Sequence, residues 1–333
     1  MRAEDQVPLG RTGLTVSRLG LGLASVGGLF QSVPEQQALD TVRRARELGI
    51  RLFDTAPVYG YGLSETRAGT ALRDESRDSF VLCTKVGRLV EQGGPDTQPI
   101  WADPPPGLGV RLDYTYKGVV RSLEESLKRL GLDRIDVLHV HDPEQDFLRS
   151  VGDAYRALDD LRRAGVIKAV SIGVNHADVA ARFLREAPEP GPDCVMLAGR
   201  WTLLDQSGLV EMLPLCHERG VAVLAAGVLQ GGGLLADPGP GTSAVHQNAG
   251  PAMAARLRTL REVCARHGVP PTAAALQFPF GHPAVTAIVV GARSPEEIEE
   301  SVSLLARPIP DEMWSDLRDA GVIPTSWRPA PGP

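Results

Sequence analysis

The chain has 333 residues, 43% of them apolar and 23% charged, with a net charge of −6. That length suits one (β/α) barrel and is too long for a small stapled domain, while the negative charge excludes a generic polyanion-binding surface, so no nucleic-acid partner is expected. No apolar run approaches the ~18 residues of a membrane span, the start MRAEDQVPLG lacks a signal-peptide core, and Cys83, Cys194, Cys216 and Cys264 are widely spaced with no CxxC, so buried thiols in a cytoplasmic protein without a membrane partner are expected.

Taken in order, residues 7–18 (VPLGRTGLTVSR) place turn residues between apolar ones and read as a small hairpin. LGLGLASVGG follows as a first strand running into glycines, and Ser32, Pro34 and Glu35 have the spacing of a capping box for a helix ending near Gly49. Ile50 to Phe53 is a short apolar strand that delivers Asp54. A Pro/Gly loop then carries Tyr59 and Tyr61 before a helix opening at Ser64. Phe80 to Lys85 is the next strand, and the Gly/Pro-rich residues 92–107 read as a long loop. Val119, Val120, Leu123, Leu127 and Leu130 recur at helical spacing, with Gly131 as the stop. The strand IDVLHVH ends at His141, Ser150 is placed to cap a helix reaching Gly165, and AVSIGV ends near Asn175. After CVMLAG comes a helical stretch from Gln206 to His217, then VAVLAA, a glycine-rich loop over 230–250, two helical stretches, and AIVVGA. Ser294 caps a last barrel helix, and the tail from Pro324 is turn and coil.

Strands starting at Leu19, Ile50, Phe80, Ile135, Ala169, Cys194, Val221 and Ala287, separated by crossover helices, predict an α/β fold of the (β/α)8 TIM-barrel type behind an N-terminal hairpin, with residues 1–333 as one domain. A doubly wound open sheet is the rival. Its GxGxxG fingerprint is not matched by LGLGLASVGG.

A (β/α)8 barrel builds its active site at the C-terminal ends of its strands. Asp54, Lys85 and His141 end successive strands, and Tyr59 lies in the loop after the second. An ammonium there is costly to bury unpaired, which makes Asp54 its natural partner. A phenol of ordinary pKa about 10 beside that ammonium is expected to titrate lower and to exchange a proton. His141 can hydrogen-bond a substrate oxygen. A metal-dependent hydrolase is a competing reading, with His139, His141 and His176 plus a carboxylate as zinc ligands, but it leaves Lys85 and Tyr59 without a role, so no metal is expected.

FDTAPVYG, the lysine of CTKVG and the histidine of LHVHDP together resemble the aldo-keto reductase family, and the resemblance runs from PLGRTGLTVSRLGLG to GARSPEEIEES. It implies an NAD(P)-dependent oxidoreductase with Asp54, Tyr59, Lys85 and His141 as catalytic residues and Tyr59 as general acid/base. YGYGLSE, DYTYKGVVRSLEESLKRLGLDRIDVLHVHDPE and MLAGRWTLLDQ are most similar to the aldose dehydrogenase branch, which implies oxidation of a sugar at C1 to a lactone. On the cofactor side the resemblance implies Asn175 at the carboxamide, and Trp201, where tyrosine is usual, against the nicotinamide. Gln230, Gly231 and Gly232 would lie along the pyrophosphate, and Gly291, Arg293, Ser294 and Glu297 at the adenosine phosphate. Arg293 suits an extra phosphate and the acid Glu297 repels it, leaving NADP and NAD both open. Residues 88–113, Leu203 to Ser207, Trp101 and Trp327 are expected to shape selectivity for a small carbonyl or sugar substrate. The protein is expected to act as a monomer or small homo-oligomer. Two alternatives stay open: an NADPH-dependent reductase of a small aldehyde or ketone, and an NADPH-binding regulatory subunit.

Overall fold

The structure, a computed structural model, describes residues 1–229 and 251–330. The chain enters through an antiparallel hairpin, β1 (Gln6–Pro8) and β2 (Thr15–Ser17). The next strands are β3 (Leu19–Gly22), β4 (Leu52–Asp54) and β5 (Val81–Val86), and then a second antiparallel hairpin, β6 (Arg88–Gln92) and β7 (Leu108–Leu112), projects from the barrel. β8 (Val137–His141), β9 (Ala169–Val174), β10 (Cys194–Ala198), β11 (Ala222–Ala226) and β12 (Val285–Gly291) complete the set. β3, β4, β5, β8, β9, β10, β11 and β12 pair in that order, all parallel, and β12 returns to β3 to close the barrel.

Strand parity explains both faces. Leu52, Val81, Cys83, Val137, Ala169, Cys194, Met196, Leu224 and Val289 fill the barrel interior, where Leu9 and Val16 of the first hairpin pack among them and plug its N-terminal end. Their neighbours Phe53, Leu82, Leu138, Val170, Ile172, Val195 and Ile288 join the outer core shared with the helices. Both faces are thus buried, which a parallel sheet requires and which produces unbroken apolar runs. On the same parity Asp54, Lys85, His139 and His141 also face inward, one or two residues nearer the C-terminal rim.

The helix Tyr116–Leu130 follows its predicted stripe: Thr115 Oγ1 accepts from the Gly118 amide at 3.0 Å, and Gly131 ends it with φ 62°. Gly69, in the helix Leu63–Leu72, lets that helix approach closely, since a Cβ there would stand 1.7 Å from the Leu130 carbonyl oxygen. Gly69→Ala is therefore expected to lower stability by ~1–3 kcal/mol in a denaturant melt. Gly152→Ala, with nothing within 4 Å of the new methyl, should leave the midpoint nearly unchanged.

Several local expectations are corrected. The capping box at Ser32 does not form, because Pro34 takes the N-cap and Glu35 becomes the first helical residue, leaving Ser32 outside. Ser150 does not cap a helix. Asp146 already caps the turn Phe147–Arg149, and Ser150 begins a π-helical turn, Ser150–Ala154, that runs into the helix Tyr155–Arg163 with its hydroxyl buried and unpartnered. The expected loop over 92–107 is bracketed by the β6–β7 hairpin, whose strands are too short and Gly-flanked to stand out in the sequence. The stretch from Gln206 divides into a 3-10 turn, Ser207–Leu209, and the helix Met212–Glu218, and an unanticipated helix, Asp311–Asp319, precedes the tail.

Candidate active site

The rim of β4, β5 and β8 carries the polar groups. Lys85 Nζ donates to Asp54 Oδ2 at 2.5 Å and to the Thr55 carbonyl at 2.9 Å, with Lys85 only 2% exposed. The ammonium lies 4.9 Å from the centre of the Tyr59 ring, and the His141 ring meets that ring edge-on at 6.0 Å. Asp54, Tyr59, Lys85 and His141 are thus brought together at one end of the barrel.

The loop between β4 and the next helix is held from below. Ser64 Oγ donates to the Leu23 carbonyl at 2.8 Å and lies 2.7 Å from Thr55 Oγ1. Fully buried Glu65 accepts from Thr84 Oγ1 at 2.7 Å and from Arg129 Nε at 2.6 Å. Ser64 is therefore not a cap: Gly62, at φ 92°, starts the helix and the hydroxyl turns inward. The serine and glutamate of YGLSE clamp the loop that presents Tyr59. Above the phenol, Trp101 approaches the Tyr59 ring at 5.4 Å and donates its indole N–H to Gln98 Oε1 at 2.9 Å.

A second polar cluster, not anticipated from the sequence, stands beside His141. Asp142 has φ 46°, a left-handed conformation rare outside glycine, and it is held by Tyr114, whose hydroxyl lies 2.6 Å from the His141 carbonyl and 3.0 Å from the Asp142 carbonyl. Arg88 Nη2 pairs with Asp142 Oδ2 at 2.7 Å, and Asn175 Nδ2 donates to Asp142 Oδ1 at 2.9 Å. Only the HD dipeptide and an arginine just beyond a strand hinted at it.

Charge is distributed unevenly across the site. Burial alone would lower Lys85, but Asp54 and the Tyr59 oxygen raise its pKa, so the ammonium persists. Burial opposes ionisation of Asp54, yet Lys85 and His139 hold its carboxyl below the ordinary carboxylate range. Burial, with Lys85 and Arg88 adding to it, pushes His141 well below the usual imidazole value and leaves it neutral. Tyr59 departs from expectation: burial raises its pKa, and the opposing pull of Lys85 does not overcome it. Desolvation of the phenolate outweighs one ammonium already paired with Asp54.

The remaining predicted residues are scattered. Gln230, Gly231 and Gly232 lie outside the described residues. Trp201 is 2% exposed, donates its indole N–H to the Pro279 carbonyl at 2.9 Å and packs on Phe278, so it belongs to the outer core. Trp327 is likewise a packing residue, stacked on Phe278 and bonded to its carbonyl at 2.9 Å. Leu203 and Leu204 join the same outer core. Gly291 ends β12, where a Cβ would stand 2.5 Å from Ser25 Oγ. Ser294 caps the helix Pro295–Ala306, accepting from the Glu297 amide at 3.4 Å. Glu297 Oε2 accepts the Arg293 amide at 2.7 Å, while Arg293 Nε is buried with no hydrogen-bond partner. A glycine cradle, a capped helix start and an orphaned guanidinium N–H fit the phosphate end of a dinucleotide.

The metal reading loses its ligands. His176 is exposed at the start of the helix Ala177–Glu186, and among the described residues the group of potential ligands at this end is Asp54, Cys83 and His139. Lys85 already supplies the cation that Asp54 binds. No helix among the described residues is long and apolar enough to cross a membrane.

A closed parallel (β/α)8 barrel with a buried Lys–Asp pair beside a tyrosine and a neutral histidine at its C-terminal rim defines an enzyme scaffold equipped for proton transfer. The model of the aldo/keto reductase family matches residues 18–321, and the chain belongs to that family of nicotinamide-dependent oxidoreductases. It is 41% identical to the pyridoxal 4-dehydrogenase of Microbacterium luteolum over 97% of this chain and 99% of that one. It is 39% identical to the D-threo-aldose 1-dehydrogenase of a Pseudomonas species over 94% of this chain and 96% of that one. Among solved structures, an aldo-keto reductase from Bacillus halodurans in its holo form is 26% identical with a TM-score of 0.76, covering 95% of each chain.

Proposed function

We propose that this enzyme oxidises a cyclic hemiacetal to a lactone, with an aldose at C1 as the leading substrate, Tyr59 as the group that exchanges the proton, and NAD as the preferred cofactor. The observation that carries the reading is the Tyr59 phenol beside a buried, paired Lys85 and facing a neutral His141. Both relatives described above support the substrate class. An aldose carries its C1 hydroxyl next to a ring oxygen, and pyridoxal closes on its neighbouring hydroxymethyl group to present the same carbon.

In this reading the substrate hydroxyl sits between the Tyr59 oxygen and His141. The bound nicotinamide supplies hydride acceptance. Burial makes the Tyr59 phenolate the less populated form and Lys85 works against that burial; it is this form that takes the hydroxyl proton while the C1 hydrogen leaves as hydride, and the carbinol becomes the lactone carbonyl. Lys85 steadies the phenolate and Asp54 keeps Lys85 charged. Neutral His141 holds the substrate oxygen without competing for a cation. Trp101 forms an apolar wall beside the reacting oxygen, and Asp142 and Arg88 offer polar contacts to further hydroxyls. For the cofactor, the Glu297 carboxylate accepts the Arg293 amide at 2.7 Å and lies 4.0 Å from its guanidinium, so its negative charge would repel an extra phosphate beside Arg293, which supports NAD.

The test is a fluorescence titration with NADH and NADPH, followed by turnover assays of aldoses, pyridoxal and simple aldehydes in both directions. Tighter binding of NADH and formation of lactone from a cyclic hemiacetal are expected. Binding of neither nucleotide, or turnover abolished by chelation, overturns the proposal. Turnover confined to NADPH-dependent aldehyde reduction would select the reductase alternative.

A further inference from the structure

His139 has no part in the chemistry above, yet it is fully buried in the barrel directly beneath it. Its Nε2 lies 3.3 Å from Asp54 Oδ1, the carboxylate oxygen that Lys85 does not use. The two are not aligned as a hydrogen bond in this structure, and both are buried with no hydrogen-bond partner, so a small turn of the ring would satisfy them together. On the opposite edge of the ring, Nδ1 lies 2.7 Å from Ser171 Oγ, itself 2.9 Å from the Cys194 carbonyl. A continuous polar line therefore runs from β10 through Ser171 of β9 and His139 of β8 to Asp54 of β4 and Lys85 of β5.

We propose that His139 is a positioning residue that donates Nε2–H to Asp54 Oδ1 and so keeps the carboxylate ionised and turned toward Lys85. The inference rests on the catalytic reading of Asp54 and Lys85. A buried carboxylate oxygen left bare is expensive, and a neutral imidazole offers one N–H at modest desolvation cost. The tautomer follows from the Asp54 side: an Nε2 lone pair facing a carboxylate would be repelled, so the proton belongs on Nε2, and the one Ser171 hydroxyl proton, which otherwise goes to the Cys194 carbonyl at 2.9 Å, turns to Nδ1 at 2.7 Å. Burial lowers the ring's pKa, consistent with a neutral donor in place of a second cation beside Lys85. The other charged or titratable groups around it are Cys83 below Lys85, whose thiol burial pushes far up, Cys194, and Tyr59, His141, Asp142 and Arg88 at the rim. Among these groups the short polar contacts to Asp54 come from Lys85 and His139 alone.

The primary test follows Asp54 directly and does not depend on turnover. Protein carrying 13C-labelled aspartate carboxyl groups is titrated by NMR, and the Asp54 resonance is identified by its loss in Asp54→Asn. His139→Leu removes the donor while keeping bulk, and His139→Gln restores an amide N–H near the position of Nε2. The Asp54 midpoint is expected to rise by about one pH unit or more in His139→Leu and to return toward the parent value in His139→Gln. If the parent carboxylate stays ionised to the acid limit of the folded protein, titration of the Leu variant above that limit supports the proposal equally. An unchanged midpoint in His139→Leu, an equal shift in both variants, or no titration in any of them overturns it. Circular dichroism on the same samples identifies variants that have not folded, and for those the acid limb of kcat/KM in Ser171→Ala, which frees the ring to take the other tautomer, is read instead: an upward shift supports the proposal and an unchanged limb overturns it. Loss of the catalytic reading would show separately, as full turnover by a Tyr59→Phe enzyme.

Discussion

Tyr59→Phe is expected to lower kcat for hydride transfer by ~10²–10⁴-fold, the usual worth of one positioned acid/base group, while nucleotide affinity and melting temperature stay near those of the parent. Removing the hydroxyl deletes only the proton carrier. The ring keeps its contacts with Trp101 at 5.4 Å and His141 at 6.0 Å, so the pocket walls remain. Stopped-flow measurement of nicotinamide absorbance separates the hydride step from binding and release. Retention of more than about half the parent rate would remove Tyr59 from the chemistry, because no other phenol neighbours Lys85: Tyr61 is committed to the Gln98 amide at 2.5 Å and Tyr114 to the backbone around His141.

Lys85→Met should act on stability and chemistry together. It leaves Asp54, 3% exposed, as a buried carboxylate without its ammonium, and breaking a buried pair from one side typically costs about 3–5 kcal/mol. A denaturant melt at neutral pH measures the loss, and the double variant Asp54→Leu/Lys85→Met should recover much of it, since the uncompensated charge is then gone. The sign of the pH dependence follows from the two shifts. Asp54 has a lowered folded pKa, so its contribution is present above the unfolded carboxylate value and is lost as pH falls through the folded one. Lys85 has a raised folded pKa, so its contribution is complete below the unfolded lysine value and is lost as pH rises through the folded one. Between the two unfolded values both are fully present in the parent, so the parent-minus-variant difference should be large at neutral pH and shrink at either extreme. The same variant moves the phenol. Lys85 is the group pulling the Tyr59 pKa down against burial, so its removal should send an already raised value higher in an ultraviolet difference titration. A downward shift would mean that Lys85 does not act on Tyr59.

The barrel was legible because its physics is local and repetitive. Strands buried on both faces read as apolar runs, crossover helices read as stripes, and all eight barrel strands emerged from those periods. The β6–β7 hairpin did not emerge, because its residues project from the barrel and carry no such run. The failed caps at Ser32 and Ser150 have a common cause: capping depends on which residue is the last non-helical one, and a shift of one or two positions moves a serine out of that role. Trp201, expected against the nicotinamide from the family resemblance, and Trp327, singled out because aromatics are few, both pack on Phe278, a burial that no spacing in the sequence signals.

By itself the sequence determined the fold class, the family resemblance and which polar residues stand at strand ends, since alternation along a strand assigns each side chain to one face and the strand's end assigns it to the rim. Only the tertiary structure decided how those groups act on one another. The raised phenol of Tyr59, the neutral imidazoles, the Asp142–Arg88–Asn175 cluster and the approach of His139 to Asp54 all depend on burial and on distances of a few ångströms between segments remote in the chain. Desolvation and Coulomb energies vary steeply over those distances, and no periodicity in the sequence encodes them.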